Sequence, residues 1–134
     1  VSIQANYYQG WWGCGFYNYT PAFNLALTND YKFHIAFRAT RNDTFKITLA
    51  GAGASTGSFL VGATGDPIPY TFDRDGEWHS IEIPLSTFTN DGLVASGTMS
   101  SNTNYLLIEN ATSYSGTFDL DVDAVYWYNT QGQF

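Results

Sequence analysis

Alternation is the pattern that most restricts the fold of this chain. In the stretch Tyr31–Arg41, Phe33, Ile35, Phe37 and Ala39 fall on every second position, while Lys32, His34, Ala36, Arg38 and Thr40 take the positions between. Successive side chains of an extended strand point to opposite faces, so this spacing predicts a strand with one buried and one wet side. Thr44–Ala50 repeats it, with Phe45, Ile47 and Leu49 opposite Lys46 and Thr48. Trp78–Leu85 sets His79, Ile81, Ile83 and Leu85 against Trp78, Ser80, Glu82 and Pro84. Shorter strands are expected at Ser58–Ala63 and Pro69–Asp73, and Tyr105–Asn110 is apolar on both faces, as a central strand is. Turn signals separate these runs: Thr28-Asn29-Asp30, Arg41-Asn42-Asp43, Gly51-Ala52-Gly53, Gly65-Asp66-Pro67, Asp75-Gly76 and Asn90-Asp91-Gly92. Short strands at this spacing predict an all-β chain, a two-sheet antiparallel β-sandwich or a barrel. No stretch has a sustained helical period; a single helical turn is expected near Ser86–Thr89, with Ser86 as its cap.

The closing segment contains a change of phase. Phe118, Leu120 and Val122 alternate with Asp119 and Asp121, and then Val125 and Trp127 alternate with Tyr126 and Tyr128. The three-residue step from Val122 to Val125 predicts a β-bulge at Asp123–Ala124. Val125 and Trp127 are then expected in the core, with Tyr126 and Tyr128 outside and Asp123 accepting hydrogen bonds at the bulge.

The chain has 134 residues, enough for one domain with a sizeable core, and is expected to be a module excised from a longer polypeptide. Its net charge is −7 with five Lys and Arg, so it lacks the basic face that nucleic acids and anionic membranes require. No apolar run reaches membrane-spanning length. With Cys14 as the one cysteine, no intrachain disulfide forms; Cys14 is expected to be a small buried hydrophobe. Charged residues are 13% and aromatics 18%, a composition that suits a secreted or cell-surface protein of bacterial type that meets neutral polymers.

Three segments carry a family resemblance. Asp30–Ala39 (DYKFHIAFRA) is similar to the first core strand of jelly-roll carbohydrate-binding modules. Asp75–Phe88 (DGEWHSIEIPLSTF) resembles their W-H-x-I-x-I-P-L-S-x-F segment, and Phe118–Trp127 (FDLDVDAVYW) resembles their closing strand. The three occur in the family's order and, with Phe45–Leu49, cover most of residues 23–128. The resemblance implies a jelly-roll, galactose-binding-like sandwich and non-catalytic binding of a polysaccharide, in a parent protein that degrades or captures glycans. It also makes a structural calcium ion possible, for which Asp119, Asp121 and Asp123 are the nearest run of hard oxygen ligands, although alternation spreads the three along one face.

A neutral glycan such as β-glucan or xyloglucan offers apolar ring faces and many hydroxyls, so its site needs exposed rings and a few hydrogen-bonding side chains. Eight of the first 23 residues are aromatic, with Gly10, Gly13 and Gly15 set between the rings. The family pattern does not extend to this segment. Its Gly content argues against a core strand, and Trp11, Trp12, Tyr17 and Tyr19 are the expected stacking platform, with one of the adjacent Trp11 and Trp12 facing the ligand. His34, Arg38, Lys46, Glu109, Asp119, Asp121, Tyr126 and Tyr128 are the candidate polar and outer-face partners. One of Trp78 and His79 is expected to close the core edge, and both are expected to be structural. The number and spread of the aromatics favour an open groove that grips an internal chain segment.

Two other functional classes remain open. A small jelly-roll glycoside hydrolase or lyase needs two carboxylates facing across a cleft, and Glu82 with Glu109 is one such pair. With only His34 and His79 and no nucleophile motif, triad chemistry lacks support. A structural or adhesive domain would instead bury its aromatics against a neighbouring domain.

Overall fold

The strand-forming runs pack into two facing sheets. The computed structural model describes residues 2–6, 13–18, 24–100, 103–111 and 117–129. In chain order the elements are β1 (Ser2–Asn6), β2 (Gly13–Asn18), β3 (Asn24–Ala26), β4 (Tyr31–Ala39), β5 (Phe45–Ala50), β6 (Thr56–Ala63), β7 (Thr71–Phe72), β8 (His79–Pro84), α1 (Leu85–Thr89), β9 (Ser96–Thr98), β10 (Thr103–Asn110) and β11 (Thr117–Asn129). One sheet has the order β1-β11-β4-β8 and the other β2-β10-β5-β6-β7, while β3 and β9 form a small ribbon. Among the described residues these strand pairings are antiparallel except the two-residue contact of β6 with β7. The protein is an all-β sandwich, as the alternation predicts.

The core is one cluster drawn from both sheets. β4 contributes Phe33, Ile35, Phe37 and Ala39; β5 contributes Phe45, Ile47 and Leu49; β11 contributes Leu120 and Val122. Phe37 is fully buried, and its ring lies 5.2 Å from that of Phe45 across the sheets and 5.3 Å from that of Phe72. A second ring group forms where Phe88 of α1 meets Phe33 at 5.7 Å, Phe59 at 5.3 Å and Trp127 at 5.3 Å. Edge-on and stacked ring pairs at these separations add to the burial of apolar area.

Several local expectations need correction. α1 begins directly after Pro84, which ends β8 and serves as the N-cap residue with no side-chain cap; Ser86 lies inside the helix. The Gly-rich aromatic segment does form a strand in part: β2 pairs with β10, and Cys14 and Phe16 pack against the core. A sheet-edge position tolerates Gly13 and Gly15, because only one neighbour must be matched there. Val125 is 41% exposed rather than buried, while Trp127 does turn inward.

Truncation of Phe37 should therefore be far costlier than truncation of Leu60, an exposed residue of β6. We expect Phe37→Ala to lower unfolding stability by about 3–5 kcal/mol, and Leu60→Ala to change it by no more than about 0.5 kcal/mol. Urea denaturation followed by tryptophan fluorescence measures both.

Candidate functional site

The outer face of the β1-β11-β4-β8 sheet follows from the core by parity. With Phe33, Ile35 and Phe37 locked inward, His34, Ala36 and Arg38 must face outward. Cross-strand register then arranges their neighbours in rows. One row runs Ser2, Asp121, Arg38 and, one step beyond the end of β8, Trp78. The next holds Asp123, Ala36 and Ser80; the next Tyr126, His34 and Glu82; the last Tyr128, Lys32 and Pro84.

At one end of this face stands Trp78, 44% exposed, with the Arg38 guanidinium carbon 4.9 Å from its ring centre. The cation over the ring face fixes both side chains. Arg38 is also clamped by Asp121, whose Oδ2 accepts from Nε at 2.8 Å and from Nη2 at 2.7 Å. A hydrogen bond from the Ser2 hydroxyl, and then Arg38, hold the Asp121 carboxyl below the usual carboxylate range. Trp78 is set in place by the turn before it. Asp75 Oδ1 accepts from the backbone N–H of Glu77 at 2.9 Å and contacts His79 Nε2 at 2.8 Å, which lowers the Asp75 pKa. Gly76, at φ +82°, donates its N–H to the Ala39 carbonyl. One of Trp78 and His79 is expected at the core edge, and it is His79, beside Phe72, while Trp78 lies on the surface.

The opposite end is built by the bulge. Asp123 pairs with Ala36 and Tyr126 with His34, so Ala124 and Val125 together oppose the single residue Ile35. Ala124 takes φ +52°, and its N–H donates to Asp123 Oδ1 at 2.7 Å. Its carbonyl accepts from His34 Nδ1 at 2.7 Å, which assigns the proton of the neutral imidazole to Nδ1 and leaves Nε2 as the acceptor. The His34 ring lies flat against Tyr126, 4.7 Å away and 5° from parallel. Tyr128 packs edge-on to Tyr126 at 6.0 Å and donates to Glu82, whose carboxylate pushes the phenol pKa up. Rows spaced by two residues place the Trp78 and Tyr126 rows about 13 Å apart. Between them lie Asp123, Ala36 and Ser80, with the bulge residues Ala124 and Val125 beside them on β11, and Ala36 is 9% exposed, so the floor on β4 is low and flanked by rings.

Six of the expected site residues, His34, Arg38, Asp119, Asp121, Tyr126 and Tyr128, thus share one face. Lys46 and Glu109 do not: they form a 3.2 Å ion pair on the outside of the other sheet. Glu82 and Glu109 lie on opposite outer faces with the core between them, so they cannot flank one bond. Trp11, Trp12 and Tyr19 lie outside the described residues; Tyr17 is in β2, and its side chain is outside them. Among the described residues no three His, Cys, Asp or Glu side chains converge as a metal site. Asp121 is engaged by Arg38 and Asp123 by the bulge, so the Asp119–Asp123 run does not fit a calcium ion. Alternation sets Trp78 on the outer face with Ser80 and Glu82, but it is not among the candidate ligand residues of the sequence, because its place beside Arg38 depends on β4, with three strands between them in sequence. The signal available was the Asp-Gly turn just before it, which keeps the residue outside the strand proper.

A larger cavity than those on this face, about 710 Å³, lies elsewhere among the described residues, between the Thr40–Thr44 and Asp66–Ile68 loops. No aromatic side chain lines it, and its carboxylates are occupied: Asp43 by Arg41 Nε at 2.7 Å, Asp66 by the Ala63 N–H at 2.9 Å. Beneath it Arg74 stacks 4.2 Å over Phe72 and donates to the carbonyls of Arg41 and Asp43. Burial lowers its pKa to about 10. Its Nε and Nη2 have no hydrogen-bond partner. The guanidinium they belong to lies over the Phe72 ring, and also 5.4 Å from that of Phe45, where N–H groups can meet π-faces. These features make the region a brace for the loops.

No protein-family model, curated protein or solved structure matches this chain.

Two outcomes test this geometry. Ala124 occupies a backbone region that disfavours a Cβ, so Ala124→Gly should stabilise the fold by up to about 1 kcal/mol, read by thermal unfolding, with the near-ultraviolet signal of the tyrosines preserved. Asp121 has a folded pKa below its unfolded value. Its stabilisation is therefore complete above the ordinary Asp range and is lost as pH falls through the lower folded value. The stability deficit of Asp121→Asn should be widest at neutral pH and close below about pH 4; a deficit that stays constant through that range contradicts the assignment.

Proposed function

We propose that this protein is a non-catalytic binding module for a neutral polysaccharide, a β-glucan, xyloglucan or similar hemicellulose, and that the outer face of the β1-β11-β4-β8 sheet holds the chain. The observation that carries the reading is the low floor of Ala36 and Ser80 between two exposed aromatic groups, Trp78 with Arg38 and Tyr126 with His34. Rings in those positions stack on the apolar faces of sugars, and His34 Nε2, Asp123, Ser80 and Glu82 stand near the same strip to meet hydroxyls. The resemblance of the Asp30, Asp75 and Phe118 segments to jelly-roll carbohydrate-binding modules supports the same reading, since these segments supply β4, the Trp78 turn with β8, and β11. Such a module works beside a catalytic or surface-protein domain in a secreted or cell-surface setting.

The charges favour a neutral ligand. Arg38, Arg41 and Lys46 are each paired with a carboxylate, and Arg74 is held inside, which engages four of the five cations with the fold. A polyanion would find no strip of basic side chains among the described residues of this face, where Asp119, Asp121, Asp123 and Glu82 outnumber Arg38 and Lys32.

Affinity electrophoresis against soluble β-glucan, xyloglucan, mannan and starch tests the proposal. The wild type should be retarded by at least one of them and release no reducing sugar. Trp78→Ala and Tyr126→Ala should each weaken that binding by roughly 30-fold, equivalent to about 2 kcal/mol, while Lys46→Ala on the far sheet leaves it unchanged. Equal retardation of all four proteins would move the site off this face, and sustained sugar release by pure protein would make it an enzyme.

A further inference from the structure

We infer that one end of the sandwich, where the start of β4 and the end of β11 face the end of β5 and the start of β10, is a second binding site, and that it takes a small neutral aromatic molecule of one or two fused rings. This goes beyond the glycan reading and does not depend on it. The site is a cavity of about 270 Å³ between the sheets. One wall is the cross-strand pair Phe33 and Trp127; the other is the pair Leu49 and Leu106 of the facing sheet. Leu25 of β3 and Met99, just past β9, line it from the small ribbon. Exposure grades across the lining. Phe33, Leu49, Met99 and Leu106 are buried and form the floor, while Val125 and Tyr126 are exposed and mark the mouth.

The lining sets the ligand class. None of the described residues that line the cavity is charged, and every Lys, Arg, His, Asp and Glu of the sequence lies among the described residues. No charged side chain there can pair with an ionic ligand, and an ion that entered would lose its water without replacement. The floor of Phe33, Leu49, Met99 and Leu106 has no side-chain N–H or O–H group, so sugar hydroxyls would meet the same penalty. Size narrows the class further. A dry apolar cavity of roughly 150 Å³ admits benzene, so this one holds one ring with room for a second. Phe33, Tyr105, Tyr126 and Trp127 offer ring edges and faces to an aromatic guest. The Met99 thioether adds an adaptable sulfur contact. Phe33 and Trp127 already rest on Phe88, so their wall is held before a guest arrives.

Met99 is the one methionine of the sequence, so an isotope-labelled methionine methyl reports the floor as a single NMR signal. β-Naphthol should move that signal saturably, with a midpoint below about 1 mM, and methyl β-glucoside should leave it in place. The fully saturated counterpart of β-naphthol, which has no π-faces, should bind at least about threefold more weakly. Leu25→Trp fills the cavity from the ribbon and should weaken β-naphthol at least about tenfold. Leu60→Trp, which adds the same indole to the exposed side of β6, should leave the affinity unchanged. Thermal unfolding reports whether Leu25→Trp is folded; if it is not, Val125→Trp at the mouth takes its place with the same expected loss. The inference is overturned if the Met99 signal ignores β-naphthol, if the glucoside moves it as strongly, if the saturated probe binds as tightly, or if the folded filled variant binds like wild type. Glycan binding on the outer face enters none of these outcomes, so failure of either reading leaves the other standing.

Discussion

Rings of Phe33 and Phe37 pin β4, and the rest of the architecture depends on that hold. Phe37 bridges the sheets to Phe45 and Phe72, and Phe33 meets Phe88 and Trp127. A strand with two such anchors four residues apart cannot slip by one position without expelling both from the core. Fixing them therefore fixes His34, Ala36 and Arg38 on the outside. β4 lies between β11 and β8, so the same choice sets which side chains of both neighbours reach the outer face. The stability of the core and the composition of the candidate site are consequences of one register.

Two departures from regular pairing give that face its relief. Without the extra residue at Ala124–Val125, the alternation of β11 would carry Trp127 outward and Tyr126 inward. The bulge reverses this, allowing Trp127 to pack on Phe88 while Tyr126 lies on His34. The cost is an alanine at positive φ, and the compensating contacts are local: Asp123 accepts the freed N–H and His34 donates to the carbonyl. The Asp75–Gly76 turn acts similarly at the other end, where it releases Trp78 from the ladder while His79 stays at the core edge. Bulges and turns of this kind redirect single side chains without disturbing the sheet.

The sequence made the sandwich legible because most of its strands bury one face, and a half-buried strand writes its parity directly into residue order. β4, β5 and β8 were readable for that reason. The phase change in β11 was readable too, but not which side chain it would leave outside: Val125 is apolar, and its exposure depends on pairing with β4, a relation between distant residues. Trp78 shows a related limit: alternation sets it opposite the core residues of β8, but residue order says nothing of the Arg38 that holds its ring. β3 and β9 have three residues each, too few for a period to emerge. Alternation sets Lys46 on an outer face, yet it says nothing about which of two outer faces a strand supplies, and Glu109 sits in a run apolar on both faces where alternation is silent.

Placing the proposed binding surface on strands, with its side chains already held, affects how it would bind. Arg38 has Asp121 and Trp78 as partners, His34 has the Ala124 carbonyl and Tyr126, and Tyr128 has Glu82. Each such contact removes rotamer freedom in the free protein, so less is lost when a ligand arrives, at about 0.5–1.5 kcal/mol for each side chain that would otherwise need ordering. The same contacts consume hydrogen-bonding capacity that a ligand would otherwise use. What remains for a ligand is dominated by ring faces and by the outward lone pairs of carboxylates. Under the proposed glycan-binding reading, a surface with that balance would discriminate by shape and hydroxyl pattern more than by charge, with modest affinity for one short segment. Repetition along a polymer, or a tethered neighbouring domain, then raises the effective binding through local concentration.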